Sequence, residues 1–211
     1  MNNLINIFKD KNIPVLFTLK DLNKLNINNN KLEELFNEAI MKYQIYNVYN
    51  DIYTLARNYR GTLISEGVLA QKIYPNSYAS LLYVLSSESW IPEAVYNVTS
   101  VIEGKEIIVD TEKFGSFIYS NVCNKLIYNG VYQIETKTGI YLRAKPLKAL
   151  CDYICKFGHN WDGMEMAYDY LRVKYNKIKE LKSKDFDEIQ GSYNINNVET
   201  FLKNLKGELN L

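Results

Sequence analysis

A helix with one apolar face, followed at once by two short strand-like runs, constrains the N-terminal fold of this chain most. Apolar side chains recur at helical spacing in this helix, at Leu32, Leu35, Phe36, Ala39, Ile40 and Tyr43. Two runs follow, residues 45–48 and 52–55, on either side of Asn50 and Asp51. Because Asn and Asp tolerate the left-handed backbone of tight turns, we expect a β-hairpin here. Asn29 or Asn30 is expected to cap the helix.

Two shorter helices are expected before this one. The segment LINIFK predicts the first, which ends before Pro14 because the residue preceding a proline is biased out of helical geometry. Thr18 and Asp21 have the spacing of a capping box for a second helix over about residues 19–25. Three helices and a hairpin within about 55 residues predict a winged helix-turn-helix.

The hydrophobic period changes twice in the remaining chain, from helix to strand and back. Helices are expected over 65–73 and over 78–90, the latter capped by Ser77, and again in the segments 145–157, 163–182 and 196–206. Strand patterns lie at 95–102, 105–110, 114–120, 131–136 and 139–144, with hairpin signals at Glu103-Gly104 and Thr138-Gly139. The predicted fold class is α+β, with a winged helix-turn-helix over 1–60 and a mixed helix and antiparallel-sheet domain over 61–211.

The charge and cysteine content exclude several classes of protein. The net charge is +1, and residues 1–60 carry eight basic and six acidic side chains, so nucleic-acid binding would require a local patch. Three cysteines, Cys123, Cys151 and Cys155, do not indicate a disulfide framework in 211 residues. With neither a signal-peptide pattern nor a membrane-length apolar run, we expect a cytoplasmic protein that does not bind membrane.

Catalytic and metal-binding motifs are weak. Cys151, Cys155 and His159 repeat every four residues, which would suit zinc, but Gly158 is expected to end the helix before His159 and a fourth ligand is missing. The two cysteines also lie on an apolar face. We therefore expect no metal, no cofactor and no enzymatic activity, and we interpret Asp152 as a residue that orients its helix.

Five segments occur in the order and spacing of a known family, namely VLFTLKDLNKLN, YNDIYTLA, PNSYASLLYVLS, YNVTSV and RAKPLKALCDYI. Over residues 13–157 the chain resembles the AbiEi antitoxins of type IV toxin–antitoxin systems. The resemblance implies a winged helix that binds inverted repeats in the promoter of its own operon. It also implies a C-terminal part that counteracts a nucleotidyltransferase-like toxin, and it implies no catalytic residues. Where relatives have Arg-Gly at the hairpin, this chain has Asn50-Asp51.

The candidate DNA contacts lie on and after the third helix. They are Asn29, Asn30, Lys31, Asn37, Lys42 and Arg57. Asn can pair with adenine and Lys with guanine, and recognition helices use their N-terminal residues for base contacts. Two lysines are accompanied by three glutamates, which oppose phosphate contact. The alternative is a winged helix that no longer binds DNA and neutralises a partner by direct protein contact.

A second candidate surface is basic. Arg172, Lys174, Lys177 and Lys179 lie in a segment with helical spacing of Met164, Ala167, Leu171, Tyr175 and Ile178 on the other side. This surface is a candidate for an acidic partner or nucleic acid, and the alternative is a solvated helix face.

Overall fold

A computed structural model describes residues 4–122, 124–125 and 127–211. Cys123 therefore lies outside the described residues, whereas Cys151 and Cys155 are buried in the core. Within the described part of the chain, none of the helices combines the length and apolar character needed to cross a bilayer.

Among the described residues, the N-terminal unit contains four α-helices, a 3-10 turn and a small sheet. Its elements are α1 (Leu4–Asp10), β1 (Leu16–Thr18), α2 (Leu19–Leu22), a 3-10 turn (Asn23–Leu25), α3 (Asn29–Met41), β2 (Ile45–Tyr49), β3 (Ile52–Leu55) and α4 (Arg57–Arg60). The sheet has the order β1-β3-β2 and is antiparallel throughout. The predicted capping box is present, because the Thr18 N–H donates to Asp21 Oδ2 at 2.9 Å.

The third helix differs from its prediction at both ends. Its cap is Asn28, whose side chain accepts from the Asn30 N–H at 3.0 Å, so the predicted cap at Asn29 or Asn30 is wrong. Phe36 and Ala39 are buried as expected, but Ile40 is exposed and Tyr43 lies beyond the helix with a left-handed backbone. The row of apolar side chains on α3 therefore extends beyond the part of the helix that is buried.

The larger unit surrounds a six-stranded sheet. Its elements are α5 (Glu66–Ile73), β4 (Tyr78–Ala79), α6 (Leu81–Ser87), β5 (Val98–Ile102), β6 (Ile107–Thr111), β7 (Gly115–Asn121), β8 (Val131–Thr136), β9 (Gly139–Ala144), α7 (Pro146–Phe157), α8 (Met164–Leu171), α9 (Tyr175–Lys179), α10 (Ser183–Asp187) and α11 (Asn196–Glu208). The α+β class is confirmed.

The sheet is mixed rather than antiparallel, which corrects the prediction. Its order is β6-β7-β5-β4-β9-β8, and the pairs β5–β7 and β4–β9 are parallel. The hairpin predicted at Glu103-Gly104 is wrong, because β7 lies between β5 and β6. β7 contributes the fully buried Phe117 and Tyr119, whereas β6 leaves Ile108 exposed, so burial favours β7 in the interior and β6 at the edge.

Two predicted helices are shorter than expected. Tyr78 and Ala79 form β4 between β5 and β9, so the helix predicted from residue 78 begins only at Leu81, after Ser80, and Ser77 is not its cap. The long helix predicted over 163–182 breaks at Arg172, which has φ +52°. Tertiary contacts cause this break, because the Val173 side chain is fully buried and the Lys174 N–H donates to the Trp90 carbonyl.

The two units share a hydrophobic core. One face of the small sheet packs on α1 and α3, while Leu16, Val48 and Ile52 belong to the core of the larger unit. The ammonium of Lys113, in the β6–β7 turn, lies 3.2 Å from the centroid of the Tyr46 ring on β2. These contacts hold the β2–β3 hairpin against the larger unit.

Candidate nucleic-acid interface

All six candidate DNA contacts are exposed, but they do not form one patch. Asn29 and Asn37 line the same groove, together with Glu33. Successive residues are rotated by about 100° around a helix axis, so Lys31 lies on a different side of α3 from Asn29 and Asn37. Lys42 follows the end of α3, and Arg57 begins α4. The structure therefore brings the asparagines together and separates them from the cations.

Lys31 on α3 and Lys42, which follows the end of α3, are each paired with a glutamate of that helix. Lys31 contacts Glu34 at 2.9 Å, and Lys42 contacts Glu38 at 2.5 Å. Lys42 lowers the pKa of the Glu38 carboxyl by a hydrogen bond and by its charge. From Asn29 to Met41 the helix carries one lysine and three glutamates, so its net charge is −2. Exposed pairs of this kind are weak and can exchange for phosphate, but the carboxylates remain.

The groove between α2 and α3 is largely apolar at its base. It has a volume of about 370 Å³ and is lined by Leu19, Leu22, Asn23, Asn29, Leu32, Glu33, Phe36 and Asn37. Leu19 is 45% exposed, and Met41 at the end of α3 is 73% exposed. Large exposed apolar side chains beside a helix are a common feature of protein-binding surfaces.

In the β2–β3 turn and the segment after it, Arg57 is the cation that forms no ion pair with any described residue. Asn50 has a left-handed φ of +46°, as predicted for the turn, and Asn47 holds the turn by donating to the Asn50 carbonyl at 2.6 Å. Arg60 is used internally, since its guanidinium donates to the Leu55 and Thr62 carbonyls and burial lowers its pKa. Arg57 is exposed, and within the described residues it makes no ion pair.

The basic candidate surface does not form one helix face. Arg172 ends α8 and pairs with Glu93, while Lys174 precedes α9. Lys177 is partly buried and lies 3.5 Å from Glu180, and Lys179 is exposed. Because α8 and α9 are separated by the turn at Arg172, these four cations do not lie along one continuous helix.

A fully buried ion pair lies at the centre of the larger unit, and sequence reasoning missed it. Lys148 and Asp152, both on α7, are completely inaccessible to solvent and lie 2.7 Å apart. Asp152 also accepts hydrogen bonds from Tyr193 at 2.7 Å, Ser80 at 2.7 Å and Tyr78 at 3.0 Å. Lys148 also donates to the Tyr193 hydroxyl at 3.0 Å. We call these five residues the buried Lys–Asp cluster.

The buried Lys–Asp cluster joins separate parts of the fold. Tyr78 belongs to β4, Ser80 precedes α6, and Tyr193 follows α10 and forms an isolated β-bridge with Asn124. The sequence does carry a signal for it, because Lys148 and Asp152 are one helical turn apart within the apolar segment of α7. A charged pair at i and i+4 among buried positions must be satisfied internally. The expectation that Asp152 orients its helix agrees with these contacts.

The tyrosines of the cluster should make stability sensitive to alkaline pH. Burial, then the charge of Asp152, raises the pKa of both Tyr78 and Tyr193. Both phenols stay protonated in the folded chain but ionise in the unfolded chain above about pH 10. The unfolded state then binds fewer protons, so the free energy of unfolding falls as pH rises, by about 1.4 kcal/mol per pH unit for each tyrosine.

A Tyr78→Phe variant should therefore lose less stability across that range, although it is less stable at neutral pH. Urea unfolding between about pH 9 and about pH 11 measures the slope, which we expect to be shallower by about 0.7 kcal/mol per pH unit averaged over this range. Equal slopes for both proteins would show that Tyr78 does not keep its proton in the folded state.

The aromatic environment of His159 argues for packing there. Its ring stacks on Trp161 with centroids 5.1 Å apart and an interplanar angle of 16°. Cys151 and Cys155 are buried in the core, and burial raises the pKa of the Cys151 thiol. Among the described residues, no group of three or more His, Cys, Asp or Glu side chains is arranged to hold a metal ion.

No known protein family matches this chain, and no curated protein sequence matches it significantly.

Proposed function

We propose that residues 4–60 form a winged helix and that the protein is an AbiEi-like antitoxin. The observation that carries the proposal is the element order of the N-terminal unit, which is helix, strand, helix, helix, strand, strand. Its sheet order, β1-β3-β2, places the first strand beside the last. In this arrangement α3 is the recognition helix and the β2–β3 hairpin is the wing. The ordered sequence segments support the antitoxin assignment.

In the proposed complex, α3 enters the major groove of promoter DNA and its asparagines read base edges. Asn30 and Asn37 point away from the α3 core positions, and neither side chain is hydrogen-bonded within the described residues. Bidentate contact from Asn to adenine is a common basis of sequence readout. Lys31, Lys42 and Arg57 supply the phosphate contacts, and inverted repeats would bind two copies of the chain.

This assignment predicts that promoter affinity decreases measurably with salt concentration. Three phosphate contacts per chain give a slope of about −2.7 in a plot of log affinity against log salt concentration. Promoter affinity should then fall about 40-fold per bound chain between about 50 mM and about 200 mM salt. A gel-shift titration of the full chain on its own promoter region measures this, with scrambled DNA of the same length as control. Absence of a promoter-specific, salt-sensitive shift would remove the repressor half of the proposal.

The groove between α2 and α3 favours a second candidate, direct protein docking. Its base is apolar and α3 has a net charge of −2, both of which suit a partner helix better than a phosphate backbone. In that case the gel shift is absent, yet the chain still restores growth of cells that express the nucleotidyltransferase encoded beside it. If the chain gives neither a shift nor a rescue, both candidates are wrong.

A further inference from the structure

The glutamates of α3 differ in what they contact. Glu34 lies 2.9 Å from the Lys31 ammonium, and Glu38 lies 2.5 Å from the Lys42 ammonium. Glu33 is exposed and forms no ion pair with any described residue. Its carboxylate is therefore available to a ligand, whereas each of the other two is already held by a lysine.

Glu33 lies in one row with two asparagines of the same helix. Successive residues are rotated by about 100° around a helix axis, so Asn30, Glu33 and Asn37 fall within an arc of about 60°. All three side chains are exposed, and Glu33 and Asn37 line the same groove. We name Asn30, Glu33 and Asn37 the polar row of α3.

The length of the polar row matches a short stretch of duplex DNA. From Asn30 to Asn37 the helix rises by about 10 Å, since each residue adds about 1.5 Å. Successive base pairs are about 3.4 Å apart, so the row spans about three base-pair steps. A recognition helix in the major groove would therefore place Glu33 over a base pair that lies between those facing the two asparagines.

A carboxylate and a carboxamide select different bases. In the major groove cytosine presents the N4 amino group, a donor that a glutamate carboxylate accepts from. Guanine and thymine present acceptors, and adenine presents an acceptor beside its donor, which suits asparagine instead. The same carboxylate repels phosphates, so Glu33 lowers affinity for DNA in general while it favours cytosine at one position.

We propose that Glu33 is a specificity-determining residue of α3, which reads the cytosine of a C·G pair placed between two A·T pairs in each half of the operator. This role rests on the proposed binding of promoter DNA by α3, and it adds a base preference that the asparagines alone do not give. Glu34 and Glu38 have no part in it, because each is paired with a lysine.

A change of base preference tests this role, with the full chain and quantitative gel shifts. The probes are the promoter region and promoter variants in which one C·G pair at a time is replaced by A·T. The parent should lose affinity about 5- to 150-fold at one such position in each half-site. Because glutamine pairs with adenine, Glu33→Gln should bind that A·T variant at least about fivefold more tightly than the unchanged promoter.

Glu34→Gln is the matched control, because it removes the neighbouring carboxylate of the same helix. It frees Lys31 for a phosphate, so it should strengthen binding to all probes alike and leave the base preference of the parent unchanged. A promoter-specific shift in which Glu33→Gln keeps the parent preference, or in which Glu34→Gln alters it equally, overturns the role of Glu33 alone. If no protein gives a promoter-specific shift, the proposed binding of DNA is wrong and the role of Glu33 with it.

Discussion

Replacing Asp152 by alanine is expected to remove about 3–5 kcal/mol from the free energy of unfolding. The change leaves the Lys148 ammonium buried without its counter-ion, and it deprives the hydroxyls of Tyr78, Ser80 and Tyr193 of a shared acceptor. Domains of this kind are stable by about 5–15 kcal/mol, so this loss is a large fraction of the total stability. Urea denaturation followed by circular dichroism measures the loss.

The matched control uses an exposed pair with the same helical spacing. Glu38→Ala breaks the i,i+4 pair with Lys42 on α3, where both side chains are about half exposed, and should leave the urea midpoint nearly unchanged. Lys148→Met should lower the free energy of unfolding nearly as much as Asp152→Ala, because it leaves the buried Asp152 carboxylate without a counter-ion. If Asp152→Ala shifted the midpoint no more than Glu38→Ala, the cluster would have to be hydrated in solution rather than closed.

Replacing Asn30 and Asn37 together by alanine is expected to lower promoter affinity at least about 25-fold if α3 reads bases. Each bidentate contact from asparagine to adenine contributes about 1–3 kcal/mol of discrimination, which is about 5- to 150-fold per residue. The helix itself should be unaffected, because its cap uses the Asn30 backbone N–H and the Asn28 side chain. Quantitative gel shifts on promoter and scrambled DNA measure the change in affinity and in specificity.

The salt dependence distinguishes base contacts from phosphate contacts in the same experiment. The asparagine variant should keep the parent slope, since it removes no cation. Lys31→Ala should reduce the magnitude of the slope by about 0.9 and weaken binding to all sequences alike. An asparagine variant that loses equal affinity for promoter and scrambled DNA would argue that α3 does not read sequence.

The elements with a strong local signal were predictable. The α7 helix begins at Pro146 and ends at Gly158, a left-handed C-cap, because proline and glycine favour those positions whatever the rest of the fold does. Strands β8 and β9 have the predicted bounds, with the turn before Gly139. In the candidate interface, the exposure of Asn29, Asn30, Lys31 and Asn37 follows from the helical period of α3.

The predicted helix bounds were wrong where a contact with a distant part of the chain outweighed the local preference for helix. The segment from Tyr78 has a helical pattern, but its first residues pair with β5 and β9, and the Tyr78 hydroxyl reaches Asp152. Similarly, the helical pattern across Arg172 breaks because Val173 is drawn into the core. The pairing of Lys31 and Lys42 with glutamates could be predicted from their spacing along the helix. The break between α8 and α9 at Arg172 could not.

The amino-acid sequence by itself determined where most helices and strands lie and that the class is α+β, because periodicity and caps act over a few residues. Only the tertiary structure decided the strand order, the parallel pairs, the shared core under the β2–β3 hairpin and the buried Lys–Asp cluster. These features join residues far apart in the chain, and their free energy comes from removing distant apolar groups from water and satisfying buried charge together.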